Sequence, residues 1–314
     1  MRPHPELADA LIGLPPFDPL ADPAATRAHV RALLAAKPPA DDPRIAVGHA
    51  AIPGPAGELT VRTYRPTDAA PNGTRPGVLY FHGGAFISGD LDTGDGNCRD
   101  LCLAAGAVVV SVDYRLAPEH PHPAAFDDCY AALRWTAANA ADLGVDPARL
   151  AVAGRSAGGA LAAAVALAAR DRGGPALAFQ LLLVPALDDR CDLPSVDECV
   201  DGRIVDGRVV RGMWPLYLGS AAPDRYAAPA RAEDLTGLPP AYLEVCQADA
   251  LRDEALAYAR RLTAAGVHTE LHLVPGAFHL FEGYAPTSTL ARRATTTWTS
   301  AIAAALNTAT VQRN

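Results

Sequence analysis

A serine stands inside a glycine-rich turn between an apolar run and an alanine-rich run. The segment from Leu150 to Ala160 reads LAVAGRSAGGA, and Ser156 lies between Gly154 and Gly158. This order predicts a strand, a sharp turn and a helix, with glycines where the two elements come close. Such a turn lifts the hydroxyl clear of the sheet and places it at a helix start, where negative charge is favoured. The pattern indicates a nucleophile, although a plain glycine-rich turn whose serine caps the following helix would show the same sequence.

A serine hydroxyl becomes a good nucleophile when a base takes its proton and a carboxylate orients that base. Asp249 and His279 each follow directly after a predicted strand. The carboxyl ends of parallel strands meet at one edge of a sheet, so we expect both side chains beside Ser156. Two alternatives stay open at this point. Asp249 could cap the following helix, which leaves Asp253 as the acid, and His279 could be an ordinary loop histidine.

A second glycine-rich segment, HGGA at 82–85, follows another apolar run. Adjacent glycines let backbone N–H groups turn toward a pocket. We predict that the N–H groups of Gly83, Gly84 and Ala157 hold the oxyanion that forms during acyl transfer. A simple β-turn is the competing interpretation of this segment. The two motifs together, in this order, favour acyl-transfer chemistry.

The apolar pattern along the chain predicts the elements that position these residues. About eight strands alternate with helical runs, which indicates a mostly parallel central sheet with helices on both faces. Residues 1–43 form a separate segment with two short helices, either a tail or a lid, before a catalytic domain over 44–314. The predicted strands are 45–52, 58–64, 76–81, 107–112, 150–153, 177–184, 241–246 and 267–274. Besides the helix after Ser156, the predicted helices are 6–12, 24–36, 95–105, 124–140, 208–218, 252–265 and 288–306.

Composition excludes several classes of function. The 314 residues are 50% hydrophobic, enough for a large core, and the net charge of −8 with scattered Lys and Arg argues against nucleic acid as a partner. The longest apolar run, 176–187, is interrupted by a glutamine and a proline, so no membrane span is expected. Without an apolar leader, the chain is expected in the cytoplasm.

Neither cysteines nor histidines form a clear metal site. The six cysteines lack a paired framework and a Cys-x-x-Cys motif, which predicts reduced, mostly structural thiols. Cys98 and Cys102 are at helical spacing but have no evident further ligands. His268 and His272 alternate with Glu270, a pattern more typical of a solvated strand face. We therefore expect neither a metal nor an organic cofactor.

Taken together, the motifs resemble the hormone-sensitive-lipase-like esterases, a bacterial family of the α/β-hydrolases. The resemblance covers about residues 45–305. It implies the α/β-hydrolase fold, with Ser156 as nucleophile, His279 as base and Asp249 as the acid that orients it. It also implies an N-terminal helical cap over the acyl site and support of the HGGA loop by the DYRLAPEHP loop. The segments that carry it are 82–86, 113–121, 154–159, 251–254 behind Asp249, and 278–281.

The sequence departs from the usual family pattern at four positions. Ala85 replaces the third glycine of the HGGG motif, Ala250 replaces a proline after the acid, and Leu280 replaces the glycine after the histidine. The fourth departure is Arg155, which places a cation where the family usually has an acidic residue before the serine. None of the four removes a catalytic group.

We therefore predict a cofactor-independent serine carboxylesterase that hydrolyses small, short-acyl esters through an acyl-enzyme. The same residues acting on an amide, a lactone or a specific acetylated metabolite remain an alternative. A non-catalytic ligand receptor is a further alternative, because plant hormone receptors share this fold, but those receptors lose the histidine that His279 supplies here. The predicted edge strand 267–274 could pair two copies as a homodimer.

Overall fold

A computed structural model of the chain describes residues 3–13, 18–36, 41–70, 73–199 and 203–308. The strands in these ranges are β1 (Ile45–Gly54), β2 (Gly57–Pro66), β3 (Arg75–Phe81), β4 (Val108–Val112), β5 (Val145–Arg155), β6 (Phe179–Leu183), β7 (Ala241–Ala248) and β8 (Thr269–Phe278). The helices are α1 (Pro5–Ile12), α2 (Pro23–Ala35), α3 (Asp95–Ala105), α4 (Ala124–Ala138), α5 (Ala157–Asp171), α6 (Pro194–Glu198), α7 (Gly207–Leu218), α8 (Arg252–Ala264), α9 (Phe281–Tyr284) and α10 (Thr289–Thr308).

The eight strands of the described ranges form one sheet in the order β1-β2-β4-β3-β5-β6-β7-β8. The β1–β2 hairpin and the β2–β4 pair are antiparallel, and every pair from β4 to β8 is parallel. The predicted eight-stranded, mostly parallel sheet is therefore confirmed. Because the inner strands run in parallel, their carboxyl ends share one edge, and β5, β7 and β8 all end there.

The central strands are buried on both faces, which explains why they are continuous apolar runs instead of alternating ones. In β3, Leu79 and Phe81 pack on one side with α4, α5 and α8. Val78 and Tyr80 pack on the other side with α3 and α10. The helices thus cover both faces of the sheet, as predicted.

Helix α5 is the most deeply buried helix that follows a strand, with its residues from 157 to 169 all buried. Its sequence is mostly alanine, and small side chains let a helix approach a sheet closely. Gly159 belongs to the same contact, since a Cβ at this position would lie 2.9 Å from the Cβ of Pro185. The rigid packing of α5 fixes its first turn, where Ser156 and Ala157 lie.

The last strand differs from its prediction in a way that matters for the site. It covers Thr269–Phe278, whereas the apolar pattern predicted 267–274. Gly276 has φ +62°, and the register of β7 and β8 shifts between Cys246 and Ala248. The glycine lets the strand bend and continue, so β8 ends directly before His279. The pattern also missed α6 and α9, which are too short to produce a helical period.

The segment 1–43 contains α1 and α2, close to the two predicted helices, while residues 1–2, 14–17 and 37–40 of it lie outside the described residues. In the described ranges, none of the helices combines the length and the apolar character that crossing a membrane requires.

Candidate active site

Ser156 occupies the turn between β5 and α5 in a backbone conformation that residues other than glycine rarely adopt. Its φ and ψ are 57° and −121°, and only 5% of the residue is exposed. A Cβ on Gly154 would overlap the carbonyl oxygen of Gly158, and a Cβ on Gly158 would overlap that of Phe81. Glycine is therefore required on both sides of the serine, as the sequence predicted.

The structure brings Ser156, His279 and Asp249 together in one hydrogen-bonded chain. His279 Nε2 lies 2.9 Å from Ser156 Oγ, and His279 Nδ1 lies 2.7 Å from Asp249 Oδ2. Asp249 and His279 are each 1% exposed. This geometry places a proton on Nδ1, donated to the carboxylate, and leaves Nε2 as the acceptor for the serine proton.

The two candidate acids have different surroundings. Besides the bond with His279, Asp249 accepts a hydrogen bond from the backbone N–H of Leu251 at 3.0 Å through its other oxygen. Asp253 lies in the first turn of α8, where it accepts from the N–H of Ser195 at 2.9 Å and pairs with Arg252. Asp253 therefore holds neighbouring segments together, and the carboxylate that reaches the imidazole belongs to Asp249.

The three predicted oxyanion donors lie beside the serine. A Cβ on Gly83 would be 3.4 Å from the Cβ of Ser156, so this glycine permits a close approach of the two segments. Gly84 has φ +130°, and a Cβ there would overlap the carbonyl of Ser88. In the described part of the chain, the N–H groups of Gly83, Gly84 and Ala157 donate to no protein acceptor. They are thus available to a ligand.

The HGGA loop is supported from behind by the DYRLAPEHP loop, as the family resemblance implies. The hydroxyl of Tyr114 donates to the carbonyl of His82 at 2.7 Å, and the two rings stack with centroids 4.1 Å apart. The N–H of Ala117 donates to the carbonyl of Phe86 at 3.0 Å. Burial lowers the pKa of His82 to about 4, so this ring is neutral near pH 7.

A cavity of about 380 Å³ opens onto Ser156 and His279. Gly83 and Gly84 lie on one side of it, and the walls are mainly apolar. Helix α2 contributes several of the apolar side chains, although most of its surface is otherwise exposed. The residues of α2 that line the cavity are Thr26, Val30, Leu33 and Leu34.

Arg27 connects α2 to the segment after the HGGA motif and to the DYRLAPEHP loop. Its guanidinium donates to the carbonyls of Ile87 at 2.6 Å and Ala117 at 2.7 Å. It also forms two hydrogen bonds with Glu119, at 2.9 and 2.6 Å, and these bonds lower the pKa of that carboxyl to about 2. Nothing in the local sequence pattern distinguished Arg27 from the other arginines, because its partners are some 60 to 90 residues away.

Arg155 does not face the site as an unpaired cation. Its guanidinium forms two hydrogen bonds with Glu282, at 3.0 and 2.5 Å. The local sequence singles out Arg155 but not Glu282, whose neighbours in the chain give no signal of a buried charge.

Metal-ligating side chains do not cluster in the described ranges, where no group of three or more His, Cys, Asp or Glu could hold an ion. His272 and Glu270 are about half exposed, and their closest N and O atoms are 3.9 Å apart. All six cysteines are free thiols. Burial raises the pKa of the Cys98 thiol, which keeps that sulfur protonated.

The chain is similar to known α/β-hydrolases. A family model described as an α/β-hydrolase fold matches residues 78–283. The chain is 46% identical over 256 residues to esterase LipI of Mycobacterium tuberculosis, covering 81% of this chain and 80% of LipI. It is 36% identical over 228 residues to ethyl acetate hydrolase of Pseudomonas putida, covering 71% of each. The solved structure titled bacterial heroin esterase superimposes with a TM-score of 0.93 at 40% identity, covering 97% of this chain and 98% of that one.

Proposed function

Because this chain belongs to the hormone-sensitive-lipase-like family of the α/β-hydrolases, we propose that it is a serine carboxylesterase acting on small esters with short acyl groups. Ser156 is the nucleophile, His279 the general base and Asp249 the carboxylate that orients it. The amides of Gly83, Gly84 and Ala157 form the oxyanion hole. The observation that carries the proposal is the continuous Asp249–His279–Ser156 hydrogen-bonded chain beside three unused N–H donors.

In the first half-reaction, Ser156 Oγ attacks the ester carbonyl carbon while its proton passes to His279 Nε2. The electron pair of the carbonyl moves onto oxygen, and the N–H groups of the hole stabilise that charge; one such donor contributes about 3–4 kcal/mol in the transition state. The tetrahedral intermediate then collapses. The C–O bond to the alcohol breaks, and the alkoxide takes the proton from His279, which leaves an acyl-enzyme.

In the second half-reaction, water replaces the alcohol. The water oxygen attacks the acyl carbon while His279 takes a proton from the water. The same oxyanion hole stabilises the second oxyanion. Collapse releases the carboxylic acid and returns the proton to Ser156. Asp249 stabilises the imidazolium that forms in each step.

The preference for short acyl groups is supported by the size of the cavity and by a relative. About 380 Å³ is at the lower end of the range for small-molecule sites. The Pseudomonas putida relative is named for an acetate ester. We propose that residues 1–43 act as a cap, because Val30, Leu33 and Leu34 of α2 form part of the cavity wall. Hydrolysis of p-nitrophenyl esters from acetate to decanoate should peak at acetate or butyrate, and a maximum at decanoate contradicts the acyl preference.

Two broader properties belong to the same proposal. We propose a cytoplasmic location, since six free thiols are typical of a reducing compartment. Cell fractionation should recover the protein with cytoplasmic markers, and recovery from the medium contradicts this. We also propose a homodimer through the edge strand β8, where Leu271 and Leu273 are 41% and 45% exposed.

The assignment of the nucleophile is tested by labelling with a fluorophosphonate probe and by the Ser156→Ala variant. Wild-type protein should be labelled at Ser156 and should hydrolyse p-nitrophenyl acetate. The variant should lose both properties while its circular dichroism and melting temperature stay unchanged. Heat-denatured wild type is the labelling control. Turnover by pure Ser156→Ala protein contradicts the proposal, and a panel with matched amides and lactones establishes which acyl bond is preferred.

A further inference from the structure

Three ionisable side chains, all mostly buried, lie close in the chain to the three candidate triad residues. Arg155 stands on β5 one position before the serine, and Glu282 stands in α9 three positions after the histidine. Glu244 stands on β7 five positions before the aspartate. Each triad residue therefore has one member of this group, which we call the charge cluster, within five positions of it in the chain.

The contacts inside the charge cluster are close. Arg155 Nη1 lies 3.0 Å from Glu282 Oε2, and Arg155 Nη2 lies 2.5 Å from Glu282 Oε1. Two parallel bonds between planar groups fix both distance and orientation. The Arg155 and Glu282 side chains are each 10% exposed, and Glu244 is fully buried with one oxygen 3.8 Å from the guanidinium.

The charges of the cluster balance. Burial alone raises the pKa of Glu282, but the charge of Arg155 and its hydrogen bonds outweigh that effect, so the pKa is lowered and the group is ionised. Burial raises the pKa of Glu244 well above its ordinary value, and the charge of Glu282 adds to the rise. One cation therefore faces one anion and one neutral acid, and the charge of Arg155 is already compensated without a substrate.

The turn after His279 depends on contacts with other elements for its position. Helix α9 has four residues, far below the length at which a helix is stable in water. Its backbone bonds are local: Gly283 donates to Leu280, and Ala285 donates to Phe281. The Arg155–Glu282 pair connects this turn to β5, at the residue directly before Ser156.

We propose that Arg155 and Glu282 are positioning residues, which hold the histidine-bearing turn at the correct distance from the nucleophile. This inference rests on the proposed esterase function. Neither side chain takes a proton or touches the reacting atoms in the steps described above. A displacement of about 1 Å in such a site can reduce the rate by about a hundredfold. Loss of the pair should therefore lower kcat and leave KM nearly unchanged.

The experiment uses Arg155→Met, Glu282→Gln and the double variant in the full-length protein. For p-nitrophenyl acetate, each single variant should lose at least tenfold in kcat per fluorophosphonate-reactive serine, with KM within twofold of wild type. The double variant should lose no more than the worse single variant, because both changes break one contact. Arg155→Lys, which keeps the charge and one bond, should recover part of kcat.

Arg149→Met is the matched control. Arg149 lies six positions before Arg155 on the same strand, is 8% exposed against 9% for Arg155, and pairs with Asp146 at 2.9 Å. This variant should show a lower melting temperature and a wild-type kcat. The double variant and Arg155→Lys do not leave the Glu282 carboxylate buried without a partner. They can therefore be measured even if a single variant fails to fold.

Three results overturn the inference. One is a kcat per reactive serine within twofold of wild type in the folded variants. Another is a fold-loss of kcat in the double variant that equals the product of the two single-variant losses. The third is a loss confined to KM for esters that carry a carboxylate, which makes Arg155 a substrate-binding residue. If the wild type neither reacts with the probe nor hydrolyses esters, the proposed function fails instead.

Discussion

The chemistry of the site is decided by which carboxylate reaches His279. Both Asp249 and Asp253 follow β7 within five residues, and both are at least partly buried. Asp249 is bonded to the imidazole at 2.7 Å, whereas Asp253 accepts from the backbone of Ser195 and pairs with Arg252. The two residues therefore have the same side chain but different hydrogen-bond partners. Variants of the two can be compared directly.

Exchange of each acid for asparagine separates the two roles. Asp249→Asn should lower kcat for p-nitrophenyl acetate by about 10³- to 10⁴-fold, because an amide cannot hold the imidazole in the required tautomer and stabilise its charge. Asp253→Asn should keep kcat within about threefold and lower the melting temperature. Steady-state kinetics and thermal unfolding of both variants measure this. If only Asp253→Asn loses activity, the acid is wrongly assigned.

At the scale of elements, two arginines of α2 form polar contacts with the rest of the protein. The Arg27 side chain is 18% exposed and donates hydrogen bonds to the carbonyls of Ile87 and Ala117 as well as to Glu119. Arg31, one turn further along the same helix, is 66% exposed and has a longer contact of 3.4 Å with Asp90. The two arginines therefore contribute unequally to the position of the proposed cap.

The Arg27→Gln variant tests whether this anchor shapes the acyl cavity. We expect KM for p-nitrophenyl butyrate to rise about tenfold, since weakening hydrogen bonds to a charged group costs about 1.5–3 kcal/mol and α2 forms one cavity wall. Arg31→Gln should keep KM within twofold, because exposed pairs contribute little. Equal KM values in the two variants contradict the role given to Arg27.

At the scale of the whole molecule, a buried neutral histidine links stability to pH. The His82 ring is fully buried against Tyr114, and burial lowers its pKa from 6.5 to about 4. Above pH 6.5 the ring is neutral in both the folded and the unfolded chain, so the contact is fully stabilising. Between pH 6.5 and 4 only the unfolded chain takes up the proton, and stability falls as the pH falls.

The His82→Asn variant isolates this contribution. Between pH 7.5 and 4.5 the free energy of unfolding of wild type should fall by about 2.5 kcal/mol more than that of the variant, from the pKa difference. Urea unfolding followed by circular dichroism at the two pH values gives both numbers. The variant should be less stable than wild type at pH 7.5, because it loses the stacking on Tyr114. An equal fall in the two proteins shows that His82 is not the group responsible.

The proposed dimer depends on the open side of β8. Leu273→Lys places a charge on this edge, which should shift the mass measured by light scattering from dimer to monomer. The control is His268→Lys, which adds the same charge just before the strand begins. This variant should leave the mass unchanged. A monomeric wild type at micromolar concentration contradicts the dimer.

The local sequence was sufficient to predict the turn at Ser156, the glycines beside it and the alternation of strands and helices. Gly154 and Gly158 are needed because of crowding between neighbouring elements, so the requirement is written into adjacent positions. The shared edge of a parallel sheet then predicted that Asp249 and His279 would lie near Ser156. The family resemblance was confirmed by the matched model and relatives.

Only the tertiary structure decided the partners of residues that are far apart in the chain. Whether Asp249 or Asp253 meets His279 depends on the loops after β7 and β8 and on the bend at Gly276 that lengthens β8. Hydrophobic periodicity encodes neither the loop paths nor the bend. The Arg155–Glu282 pair spans 127 positions and the Arg27–Glu119 pair spans 92. Local patterns report which face of an element is buried, whereas the partner of a buried charge depends on how the packed elements come together.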